Sequence, residues 1–171
     1  MERIFDTLEP IEARMHRLRE IAITCSPLAV ADPEETALVY QAGVGVHRAE
    51  AVRRLTADDD AGFLYEVSQV ALLKGRVIGF ILIRRGQSSE AAVVDSLTVL
   101  PEHRGSPAHM LLMLCAARAA RHWCTTVEYL AGEHHASTLK FAHWTSADVI
   151  DVRHRYVLLR GDLKRNAIHA G

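Results

Sequence analysis

Leu8, Ile11, Met15, Leu18 and Ile21 recur three or four residues apart, a spacing that gathers apolar side chains on one helical face and predicts a helix over residues 8–21. Pro10 fits there only in the first turn. Asp32-Pro33-Glu34-Glu35 then supplies a capping side chain, a proline suited to the first helical position and carboxylates that favour the positive end of the helix dipole. A second helix therefore starts at Pro33. Gly43 and Gly45 weaken its continuation, which makes His47 to Leu55 a separate helical stretch. The polar run from Thr56 to Gly62 is a loop. From Phe63 the pattern changes to short Val-, Ile- and Leu-rich runs between turn residues, the signature of strands. Glu66–Leu73, Arg76–Ile83 and Ala91–Val99 are three such runs, joined by Lys74-Gly75 and by Arg85 to Ser89. Connections this short leave no room for a crossover helix, so the three form an antiparallel meander. Pro107 to Trp123 is the strongest helical segment, rich in Ala and Leu, with Ser106 as its cap. Thr126–Ala131 is a further strand, Ser137–Trp144 a short helix and Val152–Leu159 a last strand.

Helices, three antiparallel strands, a long buried helix, a strand, a short helix and a strand make a mixed α/β (α+β) layer architecture: a mostly antiparallel central sheet flanked by helices. No internal repeat, low-complexity tract or linker divides it. With 171 residues the chain accommodates one well-buried core, and residues 1–171 are read as a single unit.

Composition narrows the functional classes. Lys and Arg total 20 against 21 acidic residues, so no overall field draws the protein to nucleic acid or to an anionic membrane. The start, Met1 to Asp6, carries acidic residues where a signal peptide needs a basic one, and no apolar stretch approaches the ~20 residues of a membrane span. A cytoplasmic protein is expected. Cys25, Cys115 and Cys124 cannot all pair internally and form no CxxC, which fits a reducing compartment; Cys115 reads as a small core residue on a helix.

The most informative stretch runs from Asp95 to His109, a strand leading through a loop into a helix. Unpaired N–H groups and the positive dipole end of a first helical turn form an anion site suited to a pyrophosphate. The preceding strand edge offers backbone groups to an extended ligand.

Leu97-Thr98-Val99-Leu100-Pro101-Glu102-His103-Arg104-Gly105 is similar to the signature of the GNAT superfamily of N-acetyltransferases, in which a strand ending in Val-x-Pro meets an Arg/Gln-x-x-Gly-x-Gly/Ala loop at a helix start. Lys74-Gly75-Arg76-Val77-Ile78-Gly79-Phe80 resembles the central hairpin of that family, and the order of elements agrees from Leu72 to Leu159. The resemblance implies an acyl-CoA-binding core over residues 63–160 and a helical acceptor-side region over residues 1–60. It implies acetyl-CoA or another acyl-CoA as donor and an amine of a small molecule or peptide as acceptor, with a homodimer left open. Leu97, Thr98 and Val99 would line the thioester, and Arg104, Gly105, Ser106, Ala108 and His109 the pyrophosphate. Two positions depart from the pattern: Pro107 and His109 stand where Gly, and Gly or Ala, are the rule. Proline deletes a backbone donor and histidine crowds the approach of phosphate. Either Ser106, Arg104 and a protonated His109 replace the lost donors, or the anion site is damaged.

The family also places a Tyr in the short second helix as proton donor to the departing thiolate; Phe141 falls at that position. His134, His135 or His143 could take the role, since imidazole exchanges protons near neutral pH, or could be solvated surface groups. For the general base, the resemblance points to Asp95, four residues before Val99 and by alternation on one strand face with Leu97 and Val99. Glu128 on the next strand is the second candidate. The ten histidines lack the spaced ligand pairs of a zinc site, and no Gly-x-Ser-x-Gly elbow occurs. The expected activity is acyl transfer from a CoA-type thioester to an amine. The alternatives are an acyl carrier protein as donor and a catalytically silent binding module.

Overall fold

The computed structural model describes residues 23–56, 62–132, 142–143, 147–153 and 156–163. The expected helix over 8–21 lies outside these, as does most of the short helix over 137–144, of which residues 142–143 are helical. In chain order the elements are β1 (Ile23–Pro27), α1 (Pro33–Val44), α2 (Arg48–Thr56), β2 (Gln69–Leu73), β3 (Arg76–Arg85), β4 (Ala91–Val99), α3 (Ala108–Ala120), β5 (Thr126–Gly132), β6 (Asp148–Arg153) and β7 (Tyr156–Asp162). The seven strands make one mixed sheet in the order β1-β2-β3-β4-β5-β7-β6, in which only β4 and β5 run parallel.

Local chemistry explains the helix boundaries. The Asp32 carboxylate accepts the Glu34 N–H at 2.9 Å, Pro33 opens α1, and Gly45 closes it in the left-handed conformation at φ 74°. The break before α2 thus falls where Gly43 and Gly45 predict it. Lys74 and Gly75 both take positive φ, the geometry of a tight turn whose twist matches that of its strands.

Four expectations need correction. The strand expected from Glu66 begins at Gln69, because residues 65–67 turn. Ser68 caps that turn: its hydroxyl donates to the Leu64 carbonyl at 2.8 Å and accepts the Ile83 N–H at 2.9 Å. The single strand expected over Val152–Leu159 is instead two antiparallel strands, β6 and β7. β1, read as part of a helical N-terminal region, is an edge strand paired with β2. The long helix is trimmed to Ala108–Ala120.

Two apolar clusters sandwich the sheet. On one face α3 buries Leu111, Leu112, Met113, Ala116, Ala117 and Ala120 against Ile81, Ile83, Val99, Val127 and Tyr129. On the other, α1 and α2 bury Val39, Tyr40, Ala51 and Leu55 against Val77, Phe80 and Leu82, with Tyr40 edge-on to Phe80 at 5.1 Å between ring centroids. Both helix layers sit close because glycines leave room. A Cβ on Gly43 would lie 2.0 Å from the Thr98 Cγ2, and one on Gly79 would lie 2.8 Å from the Thr98 carbonyl oxygen and 3.2 Å from a Leu112 methyl. No helix among the described residues is long and apolar enough to cross a membrane.

Candidate acyl-donor and acceptor site

β4 has two unlike edges. On one side it is laddered to β3 from Ala92 to Val99. On the other it meets β5 only at Ala91, Ala92 and Val93, while β5 pairs along its whole length with β7. From Val94 to Val99 no described strand pairs with β4 on that side, so β4 and β5 diverge toward their C-terminal ends. The Leu100 N–H donates to the Ile78 carbonyl at 2.8 Å, toward β3. Backbone groups alternate sides along an antiparallel strand, so Thr98 also bonds toward β3, while Leu97 and Val99 direct N–H and C=O into the gap. Unpaired groups in that position are the binding surface an extended amide-bearing ligand requires.

The gap opens beside the start of α3. From Leu100 the chain makes a single 3₁₀ turn at Pro101–His103, and Gly105 at φ 89° then redirects it into the helix, a conformation glycine adopts without a Cβ clash. The first-turn N–H groups of α3 lack intrahelical carbonyls. The Ala108 N–H donates to the Ser106 hydroxyl at 3.3 Å, so Ser106 serves the helix start from two residues upstream, while Pro107 holds the cap position itself. The Arg104 guanidinium is exposed and makes no ion pair among the described residues. Strand edge, helix start and free cation therefore converge, and Leu97, Thr98, Val99, Arg104, Gly105, Ser106, Ala108 and His109 form one neighbourhood.

The alternation that put Asp95 on one face with Leu97 and Val99 fails. Leu82 stands opposite Ser96 and Ile83 opposite Val94, so Asp95 is the extra residue of a β-bulge. Its carboxylate turns to Arg84, with Nε 3.4 Å from Oδ1, and accepts the Ser96 hydroxyl at 3.1 Å on Oδ2. Arg84 alternates with Leu82 and Phe80 on the α1 face, whereas Leu97 and Val99 pack with the α3 cluster. Glu128 also points away from α3, since its neighbours Val127 and Tyr129 are buried beneath that helix. Its Oε1 receives Arg160 Nη2 at 2.6 Å and Nε at 3.0 Å, which leaves Oε2 without a partner among the described residues. Both candidate bases thus lie on the sheet face opposite α3, and Glu128 stands beside Val93, the last residue of β4 to pair with β5. His134, His135 and Phe141 lie outside the described residues, and His143 is exposed. Arg84 and Arg160, the partners of the two acids, were not singled out by sequence; their only signal was a charge placed by alternation on the same face as a neighbouring strand's acid.

A mixed sheet that opens between two parallel strands, with a helix start at the mouth, defines the class of fold. The acetyltransferase (GNAT) family matches residues 15–143, well over half of the chain, and the protein belongs to that family. Solved structures share the fold at low identity. Salmonella typhimurium yncA, with its cofactor acetyl-CoA, has a TM-score of 0.63 at 16% identity, over 85% of this chain and 96% of that one. The ribosomal-protein-S18-alanine N-acetyltransferase of Escherichia coli has a TM-score of 0.63 at 10% identity, over 82% and 94%. The paia N-acetyltransferase of Thermoplasma acidophilum, in complex with coenzyme A, has a TM-score of 0.57 at 14% identity, over 82% and 98%. No curated protein sequence matches the chain.

Proposed function

We propose that the protein transfers an acetyl or other acyl group from acyl-CoA to an amine by direct attack within a ternary complex. The observation that carries this reading is the unpaired β4 edge, whose Leu97 and Val99 backbone groups face a gap that ends at the start of α3. The pantetheine amides would bond to that edge and the pyrophosphate would meet Arg104 and the first turn of α3. The donor would thus be held along β4 while the amine approaches from the α1 side, where Asp95 and Glu128 lie. Its nitrogen lone pair attacks the thioester carbonyl carbon, the C–N bond forms, the C–S bond breaks, and the thiolate leaves. The proton released by nitrogen passes to a carboxylate. Of the two acids, Glu128 is the better placed, because Oε2 is unengaged among the described residues while both oxygens of Asp95 have partners.

One observation favours a variant with a carrier-protein donor. Pro107 has no N–H, and the Ala108 N–H is already turned to Ser106, so fewer donors await a pyrophosphate than a bare helix start would offer. Calorimetry with acetyl-CoA, free CoA and acetyl-pantetheine separates the cases, alongside thiol release measured against a panel of amines. Binding of acetyl-CoA with thiol release supports the main reading. Equal affinity for acetyl-pantetheine would transfer it to a carrier thioester. Absence of binding by all three would leave the fold as a binding module with a different ligand.

A further inference from the structure

The strand row that lets α3 settle on the sheet also brings two thiols together. Cys25 on β1 stands opposite Ala71 on β2, Ala71 opposite Gly79 on β3, and Gly79 opposite Val99 on β4. This row of small residues lies under α3, where Leu112 packs over Gly79 at a separation that a Cβ would violate. Cys115 lies three residues further along the same helix, and α3 packs directly on β1. Cys25 and Cys115 both rest half-buried against the α3-side apolar cluster. The two thiols lie close enough for each to shift the other's ionisation. The third cysteine, Cys124, is buried beyond the end of α3 and takes no part.

We propose that Cys25 and Cys115 are a peroxide-oxidisable dithiol that closes to an intramolecular disulfide and staples edge strand β1 to α3. Neither residue touches the β4 gap, so the proposal is independent of acyl transfer. Cys115 is the attacking group, because the neighbouring Cys25 thiol and the Arg118 charge one turn on favour its thiolate; both hold it below the ordinary thiol value. Cys25, beside it and half-buried, is raised correspondingly. The Cys115 thiolate attacks one oxygen of hydrogen peroxide, the O–O bond breaks, and the departing hydroxide takes a proton to become water, leaving a sulfenic acid. The Cys25 sulfur then attacks the sulfenic sulfur, the S–S bond forms, and a second water leaves with the Cys25 proton. Two thiols and one peroxide become one disulfide and two waters. A dithiol reductant reverses the reaction.

Treating the full chain with a small excess of hydrogen peroxide, then alkylating under denaturing conditions, tests this by intact mass and non-reducing peptide mapping. The expected product is about 2 Da lighter than the reduced protein before alkylation, as loss of two hydrogens requires. It carries a single alkylated thiol at Cys124 and returns to three free thiols with dithiothreitol. Its Tm rises by about 5 °C or more, since the bond closes a long loop in the unfolded chain. Cys25→Ser is expected to retain the Cys115 sulfenic acid, trapped by dimedone. Three alkylatable thiols after peroxide, a bond that includes Cys124, or a disulfide-linked dimer overturns the proposal. A linked product with unchanged or lowered Tm overturns the staple.

Discussion

Along its β3 side, β4 is hydrogen-bonded from Ala92 to Val99, while along its β5 side pairing ends at Val93. The same nine residues supply both edges, and alternate residues of one strand serve opposite sides. The difference arises in the neighbours. β3 leads into β4 through a short turn and stays paired with it to Val99, whereas β5 stays paired with it only from Thr126 to Glu128, although its other edge is laddered to β7 throughout. Satisfied backbone groups hold the fold together. The groups at Leu97 and Val99, which no described strand pairs on the gap side, are stable only where a ligand or water takes a partner's place. One strand therefore carries structure on one edge and, in the proposed function, binding on the other.

A proline placed at successive positions of β4 tests that division most severely. Thr98→Pro removes an N–H that bonds toward β3 and is expected to lower stability by about 3 kcal/mol or more, measured by urea unfolding. Val99→Pro removes an N–H that faces the gap. It should cost only about 1 kcal/mol in stability while abolishing donor binding in calorimetry. Equal losses of stability from both variants would show that the gap edge is paired after all.

The chemistry of the face opposite α3 comes next. Glu128→Gln is expected to lower the acylation rate by ~10² or more, about 2.7 kcal/mol of barrier, with donor affinity unchanged. Asp95→Asn is the matched control. The larger fall at Glu128 would confirm the reading from its unengaged oxygen, and the reverse order would return the base to the bulge.

On the structural side, Ser68→Ala leaves the buried Ile83 N–H without its acceptor and should destabilise by about 2 kcal/mol in thermal or urea unfolding, with donor affinity unaltered. The smallest effect belongs to the mouth of the gap. Arg104→Ala is expected to weaken acetyl-CoA binding roughly 10-fold, as loss of a charge-assisted bond to phosphate does, while leaving acetyl-pantetheine binding in place. A variant with unchanged affinity for both would remove the pyrophosphate from the start of α3.

Much of this protein was legible in the residues themselves wherever local forces decide. The Asp32-Pro33 start of α1, the Gly45 stop, the Lys74-Gly75 turn, the antiparallel meander, the bounds of β4 and the length of α3 to within a few residues follow from capping, turn and periodicity rules that act over a few positions. The strand-turn-helix connection through Leu97–Gly105 was legible for the same reason. What only the tertiary structure decided depends on pairing between distant segments. β1 has five residues and no alternation strong enough to stand out, and it is a strand because β2 offers it a ladder. The β6–β7 split, the bulge that turns Asp95 away from Leu97 and Val99, and the arginines set against each acid all arise from register between strands. A single extra residue in one strand reverses which face a side chain joins, and no property of that residue alone records it. The divergence of β4 from β5, on which the proposed activity rests, is of the same kind: it lies in the register of two strands separated in the chain by α3, and no residue of the motif beside the gap records it.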